Sequence, residues 1–335
     1  MMMIRCEKTT WDGLEALELR AFDYGAWIIP SLGANVIRLW YEGSGENFEI
    51  LRTPPAAAVF LSDPFAYGVP VLFPANRVSG GFYEWDGVRY RFPQNRPNGM
   101  HIHGVLHNRP WPPVSYHDSR EGAFARLELD TRKDGDLRNV FPADILFRLD
   151  ISLTRHGLGH RFSVENGGDH SFPAGLAYHT AFRLPFRDGT PPENIRMLLP
   201  LAARCVDDPV SRLPTGAVVP LDDFEQRIAS AGGAPPLEQD LDFLYTSRAR
   251  VPREAILRDT LRGWEVVYTA DNDNRYWIIW NGNGTKDFIA IEPQTWLSNA
   301  MNLPDPRALG AVMVPPGQSW TCATTIAVRP APTLR

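Results

Sequence analysis

The chain is dominated by short stretches in which hydrophobic and polar residues alternate. Successive side chains of a β-strand point to opposite faces, so a strand with one buried face shows this period of two. Five such stretches lie in the first half of the chain, at VIRLWY (36–41), VRYRF (88–92), FARLELD (124–130), ILFRLDISL (145–153) and HRFSVEN (160–166). Four more are rich in the β-branched and aromatic residues favoured in strands, at WEVVYT (264–269), RYWIIW (275–280), FIAI (288–291) and TCATTIAV (321–328). The pattern predicts a protein built mainly from β-strands.

Residues that break regular structure separate these stretches. The chain has 27 glycines and 30 prolines, so periodic segments rarely exceed about ten residues. Asp86-Gly87 and Asp134-Gly135 suit the positive φ angles of a tight hairpin turn, and each is predicted to join two antiparallel strands. Helical patterns are limited to LEALELRAF (14–22) and FEQRIAS (224–230), which are the candidates for short helices.

The same pattern continues along the whole chain without a clear boundary. A length of 335 residues suggests about two domains of average size, but all-β folds often form one longer unit. The Pro/Gly-rich segment AGGAPP (231–236) lies among strand-like segments, so we interpret it as a surface loop. We therefore predict an all-β fold, a large antiparallel β-sandwich, with residues 1–335 in a single domain.

Composition limits the classes of ligand. The chain has 34 Lys and Arg against 39 Asp and Glu, which gives a formal net charge of -5 and a sequence pI of about 5.9. No long block of one charge occurs, so binding to nucleic acid or to an anionic membrane is not expected. A small neutral ligand agrees better with this composition.

Three cysteines, Cys6, Cys205 and Cys322, are widely separated and form no metal-binding or disulfide pattern. The N-terminal sequence lacks the apolar region of a signal peptide, and no run reaches the roughly 18 to 20 apolar residues of a membrane span. These features predict a soluble cytoplasmic protein.

The segment NGMHIHGVLHNRPW (98–111) contains three of the eight histidines. In an extended strand His101 and His103 would share a face and could begin a metal site, but no carboxylate follows until Asp118. We therefore predict no metal. Acid/base chemistry is the functional alternative, since the reference pKa of histidine is about 6.5. Hydrogen bonding within a loop is the structural one, and is favoured for His101 and His107.

Two other polar residues lie in apolar surroundings. His179 is in AGLAYHTAFRL (174–184), and Glu292 is in FIAIEPQTW (288–296), where Pro293 is expected to end the strand. A buried ionisable group has either a structural partner or a task, and both interpretations remain open for each residue.

Four segments together resemble the aldose 1-epimerase family, the galactose mutarotases. They are GVPVLFPANRVSGGFYEWDGVRY (68–90), the HIHG stretch up to Trp111, HTAFRL (179–184) and IEPQTWLSNAMN (291–302). Weaker likeness occurs in LPTGAVVPLDDF (213–224) and DLDFLY (240–245). The segments keep the family's order from about residue 26 to residue 328.

The resemblance implies a galactose mutarotase-like supersandwich with a cleft for a small-molecule sugar. It implies that Glu292 is the catalytic base, that His179 is the general acid, whose protonated form the carboxylate would favour, and that His103 assists near the ring oxygen. It further implies substrate contacts for Asn76 and Arg77 and, in DLDF, for Asp240, with Asp242 as the alternative. No cofactor or metal is expected, and the protein is predicted to be a monomer or a homodimer.

The implied reaction is interconversion of the α and β anomers of a hexose by acid/base ring opening. One alternative is a hexose-6-phosphate 1-epimerase, for which Arg89, Arg91 and Arg96 are the candidate phosphate ligands. Others are a non-catalytic sugar-binding protein or sensor, and a metal-dependent isomerase.

Several residues beside the motifs bear on the substrate. The chain departs from the family pattern at Val105, Thr180-Ala181 and Arg183. These positions are neighbours of the residues implied to carry the chemistry, so the departures affect the expected choice of substrate more than the expected type of reaction. Trp111 and Trp296 either offer a flat face to a sugar ring or fill the core.

Overall fold

A computed structural model describes residues 4–284 and 287–332. In the first half of the chain the strands are β1 Arg5–Trp11, β2 Leu14–Ala21, β3 Tyr24–Ile29, β4 Asn35–Gly43, β5 Glu46–Glu49, β6 Val71–Leu72, β7 Arg77–Val78, β8 Phe82–Trp85, β9 Val88–Arg91, β10 His101–Ile102, β11 Pro113–Ser119, β12 Gly122–Asp130, β13 Ile145–Thr154 and β14 Gly157–Asn166. In the second half they are β15 Phe172–Ala174, β16 Ala177–Tyr178, β17 Thr180–Arg183, β18 Ile195–Leu198, β19 Leu201–Asp207, β20 Pro214–Val219, β21 Asp242–Ser247, β22 Glu254–Asp259, β23 Trp264–Ala270, β24 Tyr276–Trp280, β25 Phe288–Gln294, β26 Val312–Val314 and β27 Ser319–Pro330.

Helices are short. The α-helices are α1 Ala57–Ser62, α2 Gly135–Val140 and α3 Asp223–Ile228, and the 3₁₀ turns are Pro30–Leu32, Pro64–Ala66, Ser79–Gly81, Pro97–Gly99, Pro192–Asn194 and Ala300–Asn302. Within the described residues, no helix has the length and hydrophobicity needed to cross a bilayer.

The strands form two eight-stranded sheets, a five-stranded sheet and smaller pairs. The first large sheet has the order β11-β12-β13-β14-β27-β23-β22-β18, and the second has β20-β19-β21-β24-β25-β16-β6 with β17 also paired to β25. Neighbouring strands are antiparallel, and β13 alternates strictly between buried and half-buried residues, as its sequence pattern predicts. The predicted all-β antiparallel sandwich is confirmed.

Aromatic contacts join the two large sheets. Tyr178 on β16 packs on His160 of β14, with ring centroids 4.8 Å apart, and Phe182 on β17 packs on Tyr268 of β23 at 5.4 Å. The core therefore lies between the sheets. Trp111 and Trp296 are fully buried, and their indole N–H groups donate to the carbonyls of Leu106 and Ala75, respectively. Of the two interpretations offered for these tryptophans, the structure supports the core.

Two of the predicted helix and turn assignments are correct. FEQRIAS forms α3, which begins after Asp222 with a capping box: the Asp222 side chain accepts from the Glu225 N–H, and the Glu225 side chain accepts from the Asp222 N–H. Asp86 and Gly87 have φ angles of 51° and 77° and join β8 to β9.

The other two assignments are wrong. LEALELRAF contains β2, whose pairing with β1 and β3 overrides the helix propensity of its Leu, Glu and Ala residues. Asp134-Gly135 makes no hairpin, because the Asp134 carboxylate accepts from the Leu137 N–H and caps α2.

His160 on β14 should make folding stability sensitive to acid. It is 2% exposed, neither ring nitrogen has a hydrogen-bond partner within the described residues, and burial lowers its pKa to about 3. The unfolded chain binds a proton near pH 6.5, whereas the folded chain excludes it, so stability is lost as the pH falls from about 6.5 toward 3. The loss is about 1.4 kcal/mol per pH unit. Urea unfolding of wild type and His160→Leu at pH 7.5 and pH 5 measures it.

We expect the His160→Leu variant to lose about 2 kcal/mol less stability between these pH values than wild type. His156→Ala, which removes an exposed histidine at the turn before β14, is the matched control and should leave the pH dependence unchanged. Equal acid sensitivity of wild type and His160→Leu would contradict the expectation.

Candidate active site

A polar cavity of about 250 Å³ lies against the second large sheet. Strands β21, β24 and β25 contribute one wall, and loops around residues 63–65, 76–77 and 96–103 contribute the other. The residues with polar or aromatic side chains that line it include Asp63, Phe65, Asn76, Arg77, Arg96, His103, His179, Asp207, Asp242, Trp280 and Glu292. Five of the six predicted site residues are therefore brought to one cavity.

Glu292 lies within β25 rather than at its end. The strand continues through Pro293 to Gln294, and Trp277 of β24 pairs with Pro293, so the prediction that this proline ends the strand is wrong. On its other side β25 pairs with β17 and β16, and this pairing is interrupted beside Pro293. The missing N–H of the proline is therefore tolerated there.

The strand register explains why His179 meets Glu292. Thr180 pairs with Ile291 and Ala177 pairs with Gln294, and the same register places His179 opposite Glu292. Nε2 of His179 lies 3.1 Å from Oε1 of Glu292, and the two residues are 4% and 2% exposed. The sequence separates these groups widely, but the sheet makes them a buried pair.

His103 reaches the same cavity through a left-handed turn. Its φ is 70°, followed by 65° at Gly104, where a Cβ would lie 2.1 Å from the carbonyl oxygen of Phe73. The His103 ring centroid lies 5.4 Å from that of His179. The segment is therefore not extended at His103, so the condition under which His101 and His103 would share a face is not met.

The other two histidines of the cluster do not line the cavity. Nδ1 of His101 is 2.6 Å from the carbonyl oxygen of Pro93, and its ring stacks on Phe92. Nδ1 of His107 is 3.1 Å from the carbonyl oxygen of His103. Both make the loop hydrogen bonds that the sequence favoured for them.

Two aromatic side chains that sequence reasoning missed form part of the cavity wall. The ring of Phe65 lies 4.4 Å from that of His103 and 5.4 Å from that of His179. Trp280 lies 5.7 Å from His179 on the other side. Trp280 is opposite Asp242 in the pairing of β24 with β21, a relationship that the sequence pattern does not reveal.

Charged groups occupy the more open part of the cavity. Arg77 is largely buried and its pKa is lowered by burial, while the nearby carboxylates of Asp242 and Asp207 oppose this change. Asn76 precedes it with a φ of 57°, and its side-chain oxygen accepts from the Arg77 N–H. Arg212 donates to Asp242 at 2.8 Å.

The structure corrects the placement of one predicted site residue. Asp240 is exposed and does not line the cavity, whereas Asp242 does. The two differ because the strand β21 begins at Asp242 and directs its side chain toward Trp280. Among the candidate phosphate ligands only Arg96 lines the cavity, since Arg89 pairs with Glu84 and Arg91 is exposed elsewhere.

Burial controls the protonation of the pair. It lowers the pKa of His179 to about 3. It raises the pKa of Glu292 well above its usual range; the nearby Asp242 raises this pKa further, and Arg77 opposes the shift. Burial and the neighbouring His179 also lower the pKa of His103. The sequence predicted that the carboxylate would raise the pKa of His179. The pKa is lowered instead, because the effect of desolvation is larger than that of the carboxylate.

These directions favour a pair of zero net charge that holds one proton. A protonated carboxyl with a neutral imidazole has the same proton count as a carboxylate with an imidazolium. The proton can therefore move between Glu292 and His179 without exchange with solvent. Such a pair supplies one proton acceptor and one proton donor.

Within residues 4–284 and 287–332, no group of three or more His, Cys, Asp and Glu side chains is arranged to hold a metal ion. The absence of a metal in the reaction remains a prediction, which chelation tests.

Fold and site together define an all-β protein with a buried histidine–glutamate pair in the wall of a polar cavity that aromatic side chains also line. Residues 15–327 match the model of the aldose 1-epimerase family. The chain belongs to this family and is a carbohydrate epimerase-type enzyme, which confirms the resemblance in its motifs.

Solved structures agree over nearly the whole chain. A galactose mutarotase-like protein from Clostridium acetobutylicum is 28% identical, with a TM-score of 0.90 over 98% of this chain and 99% of that one. A putative aldose 1-epimerase from Escherichia coli K12 is 19% identical, with a TM-score of 0.72 over 93% and 98%. A galactose 1-epimerase from Lactobacillus acidophilus NCFM is 16% identical, with a TM-score of 0.71 over 99% and 100%. The last two matches show the fold alone.

Proposed function

We propose that this protein is a mutarotase that interconverts the α and β anomers of a free hexose. The observation that carries the proposal is the buried 3.1 Å contact between Nε2 of His179 and Oε1 of Glu292 at the cavity wall. Ring opening removes the proton from the anomeric hydroxyl and adds one to the ring oxygen. It therefore requires one base and one acid at adjacent positions.

Glu292 acts as the base and His179 as the acid. Transfer of the shared proton from Glu292 to His179 produces a carboxylate and an imidazolium without changing the net charge of the pair. The carboxylate takes the proton of the anomeric hydroxyl while the imidazolium protonates the ring oxygen, and the bond between C1 and O5 breaks. The aldehyde then rotates about the C1–C2 bond, and the reverse transfers close the ring on either face.

His103 assists as a neutral imidazole. Burial and the neighbouring His179 disfavour its charged form, so it contributes hydrogen bonds rather than charge. Its ring centroid is 5.4 Å from that of His179, which supports a role at the same end of the sugar. Phe65, which contacts both rings, excludes water from the proton transfers.

The charges of the cavity favour a neutral sugar. Besides Glu292, three carboxylates line it (Asp63, Asp207 and Asp242), against the two arginines Arg77 and Arg96. Arg212, which donates to Asp242, brings the arginines to three, so the aspartates are matched and no excess of positive charge remains to bind a phosphate dianion. This supports a free hexose over a hexose 6-phosphate.

The Asp242→Asn substitution is expected to raise KM for the sugar about tenfold with a smaller change in kcat. Asp242 is at the open end of the cavity, where a carboxylate accepts hydrogen bonds from sugar hydroxyls, and a hydrogen bond to a charged group contributes about 1.5–3 kcal/mol. Steady-state kinetics with Asp240→Asn as the control measure this. Asp240 is two residues away and exposed, so its substitution should change neither constant.

Polarimetry of freshly dissolved α-glucose and α-galactose tests the proposal, with glucose 6-phosphate in parallel. Acceleration of the free sugars supports the mutarotase. Acceleration of the phosphorylated sugar alone would assign a hexose-6-phosphate 1-epimerase, and binding without acceleration would assign a sugar-binding protein. Loss of activity on chelation would contradict the metal-free mechanism.

Other properties stay predictions. They are a single domain over residues 1–335, a monomer or homodimer, a cytoplasmic location, no cofactor, and no nucleic-acid or membrane partner.

A further inference from the structure

Asp207, which has no predicted role, lies in the cavity beside Asp242. In the pairing of β19 with β21, Arg204 is opposite Tyr245. The regular pairing ends there, and β19 is irregular between Cys205 and Asp207, but the charge of Asp242 contributes to the raised pKa of Asp207 and both residues line the cavity. The two carboxylates are therefore neighbours on adjacent strands.

The Asp207 carboxylate lacks the partners that would explain it structurally. Its Oδ1 is buried and has no hydrogen-bond partner within the described residues. Burial raises the pKa of Asp207, while Arg77 and Arg212 oppose the shift. The guanidinium of Arg212 donates to Asp242 rather than to Asp207. A buried carboxylate oxygen without a partner is costly unless a ligand completes its hydrogen bonds.

The order of strands gives the distance of these carboxylates from the acid/base pair. From β25, which carries Glu292, the sheet continues through β24 to β21 and then to β19. Neighbouring strands are about 4.8 Å apart, so β21 and β19 lie roughly 10 and 14 Å across the sheet from β25. Asp242 pairs with Trp280, which is opposite Ala290, so Asp242 is also displaced from Glu292 by two residues, about 7 Å, along the strands. The side chain of Glu292 is 2% exposed and that of Asp242 is 52% exposed, so the cavity opens toward β21.

The proposed reaction sets the orientation of the sugar. The anomeric hydroxyl and the ring oxygen must contact Glu292 and His179 at the buried end of the cavity. In a six-membered ring, C4 is opposite C1 and C3 is opposite the ring oxygen. The edge formed by C3 and C4 therefore faces β21 and β19, where Asp242 and Asp207 lie.

We propose that Asp207 is a specificity-determining residue that, together with Asp242, binds the vicinal hydroxyls on C3 and C4 of the aldose. Each carboxylate accepts a hydrogen bond from one hydroxyl. The preferred substrates are then pyranoses with both hydroxyls free. This inference rests on the proposed function, because that function orients the ring.

The test pairs protein variants with sugars that lack one hydroxyl. Mutarotation of glucose, 3-deoxyglucose, 4-deoxyglucose and 6-deoxyglucose is followed with wild type, Asp207→Asn, Asp242→Asn and the control Asp240→Asn. We expect wild type to prefer glucose over each of the 3-deoxy and 4-deoxy sugars about tenfold in kcat/KM. Asp207→Asn should abolish the preference over one of these two sugars, and Asp242→Asn the preference over the other.

The readout is the ratio of kcat/KM for two sugars measured with one protein preparation. Partial misfolding of a variant lowers both values by the same factor and therefore leaves the ratio unchanged. Preference over 6-deoxyglucose should be unchanged in Asp207→Asn, and all preferences should be unchanged in Asp240→Asn. The inference is overturned if Asp207→Asn changes the rates of all four sugars by the same factor or changes none. A wild type that accelerates no sugar would instead reject the proposed function.

Discussion

Replacing Glu292 by glutamine is expected to lower kcat/KM for anomer interconversion by about 10²–10⁴-fold. Glutamine keeps the size of the side chain and can hydrogen-bond to His179, but its amide does not accept the proton of the anomeric hydroxyl. The side chain is 2% exposed, so solvent cannot readily substitute for the lost base. Polarimetry on the preferred hexose, corrected for the uncatalysed rate, gives the ratio.

The structural effect of this substitution should be small, because the amide replaces a buried group whose charged form burial already disfavours. Asp240→Asn is the matched exchange of acid for amide at an exposed position and should retain full activity. Activity of Glu292→Gln within about threefold of wild type would exclude Glu292 as the base.

Replacing His179 by glutamine should have an effect of similar size, about 10²–10⁴-fold. The variant loses the group that protonates the ring oxygen, and the proton shared with Glu292 has no imidazole acceptor at 3.1 Å. Since the two residues act as one unit, the double variant Glu292→Gln/His179→Gln should be little slower than either single variant.

His101→Gln is the control for this second prediction. His101 is also buried, at 1% exposure, but it contacts Phe92 and the Pro93 carbonyl outside the cavity. Its substitution should change kcat/KM by less than about threefold. A multiplicative loss in the double variant would show instead that Glu292 and His179 act independently.

The strand content was predictable because a half-buried strand requires alternation, and β13 follows that pattern residue by residue. Propensity alone failed at residues 14–22, where Leu, Glu and Ala favour a helix but pairing with two neighbouring strands fixes β2. The prediction of a hairpin turn at Asp134-Gly135 was wrong for a related reason, since a carboxylate that suits a turn can also cap a helix.

The catalytic candidates were predictable because they lie in motifs, whereas Phe65, Trp280 and Asp207 lie in none. Their proximity to the acid/base pair depends on loop placement and on the register of β24, β21 and β19. Register also decides between Asp240 and Asp242, because only the start of β21 determines which carboxylate lies opposite Trp280.

The direction of the His179 pKa could not be inferred from the sequence. Proximity to a carboxylate predicts a raised value, but burial depends on how completely the sheets and Phe65 enclose the imidazole. In this fold burial is the larger effect, and the pair is best described by its single shared proton rather than by two separate charges.

Exchange NMR of glucose at anomeric equilibrium tests the central claim most directly, since it follows the H1 nucleus, which stays on C1, as the molecule converts between the α and β forms. Spectra are recorded with wild type and with Glu292→Gln at equal concentration, against buffer alone. We predict exchange cross-peaks between the two anomeric protons with wild type and an enzyme-catalysed exchange rate lower by at least about 10²-fold with Glu292→Gln. Equal exchange rates for wild type and buffer, or for wild type and Glu292→Gln, would contradict the proposed mechanism.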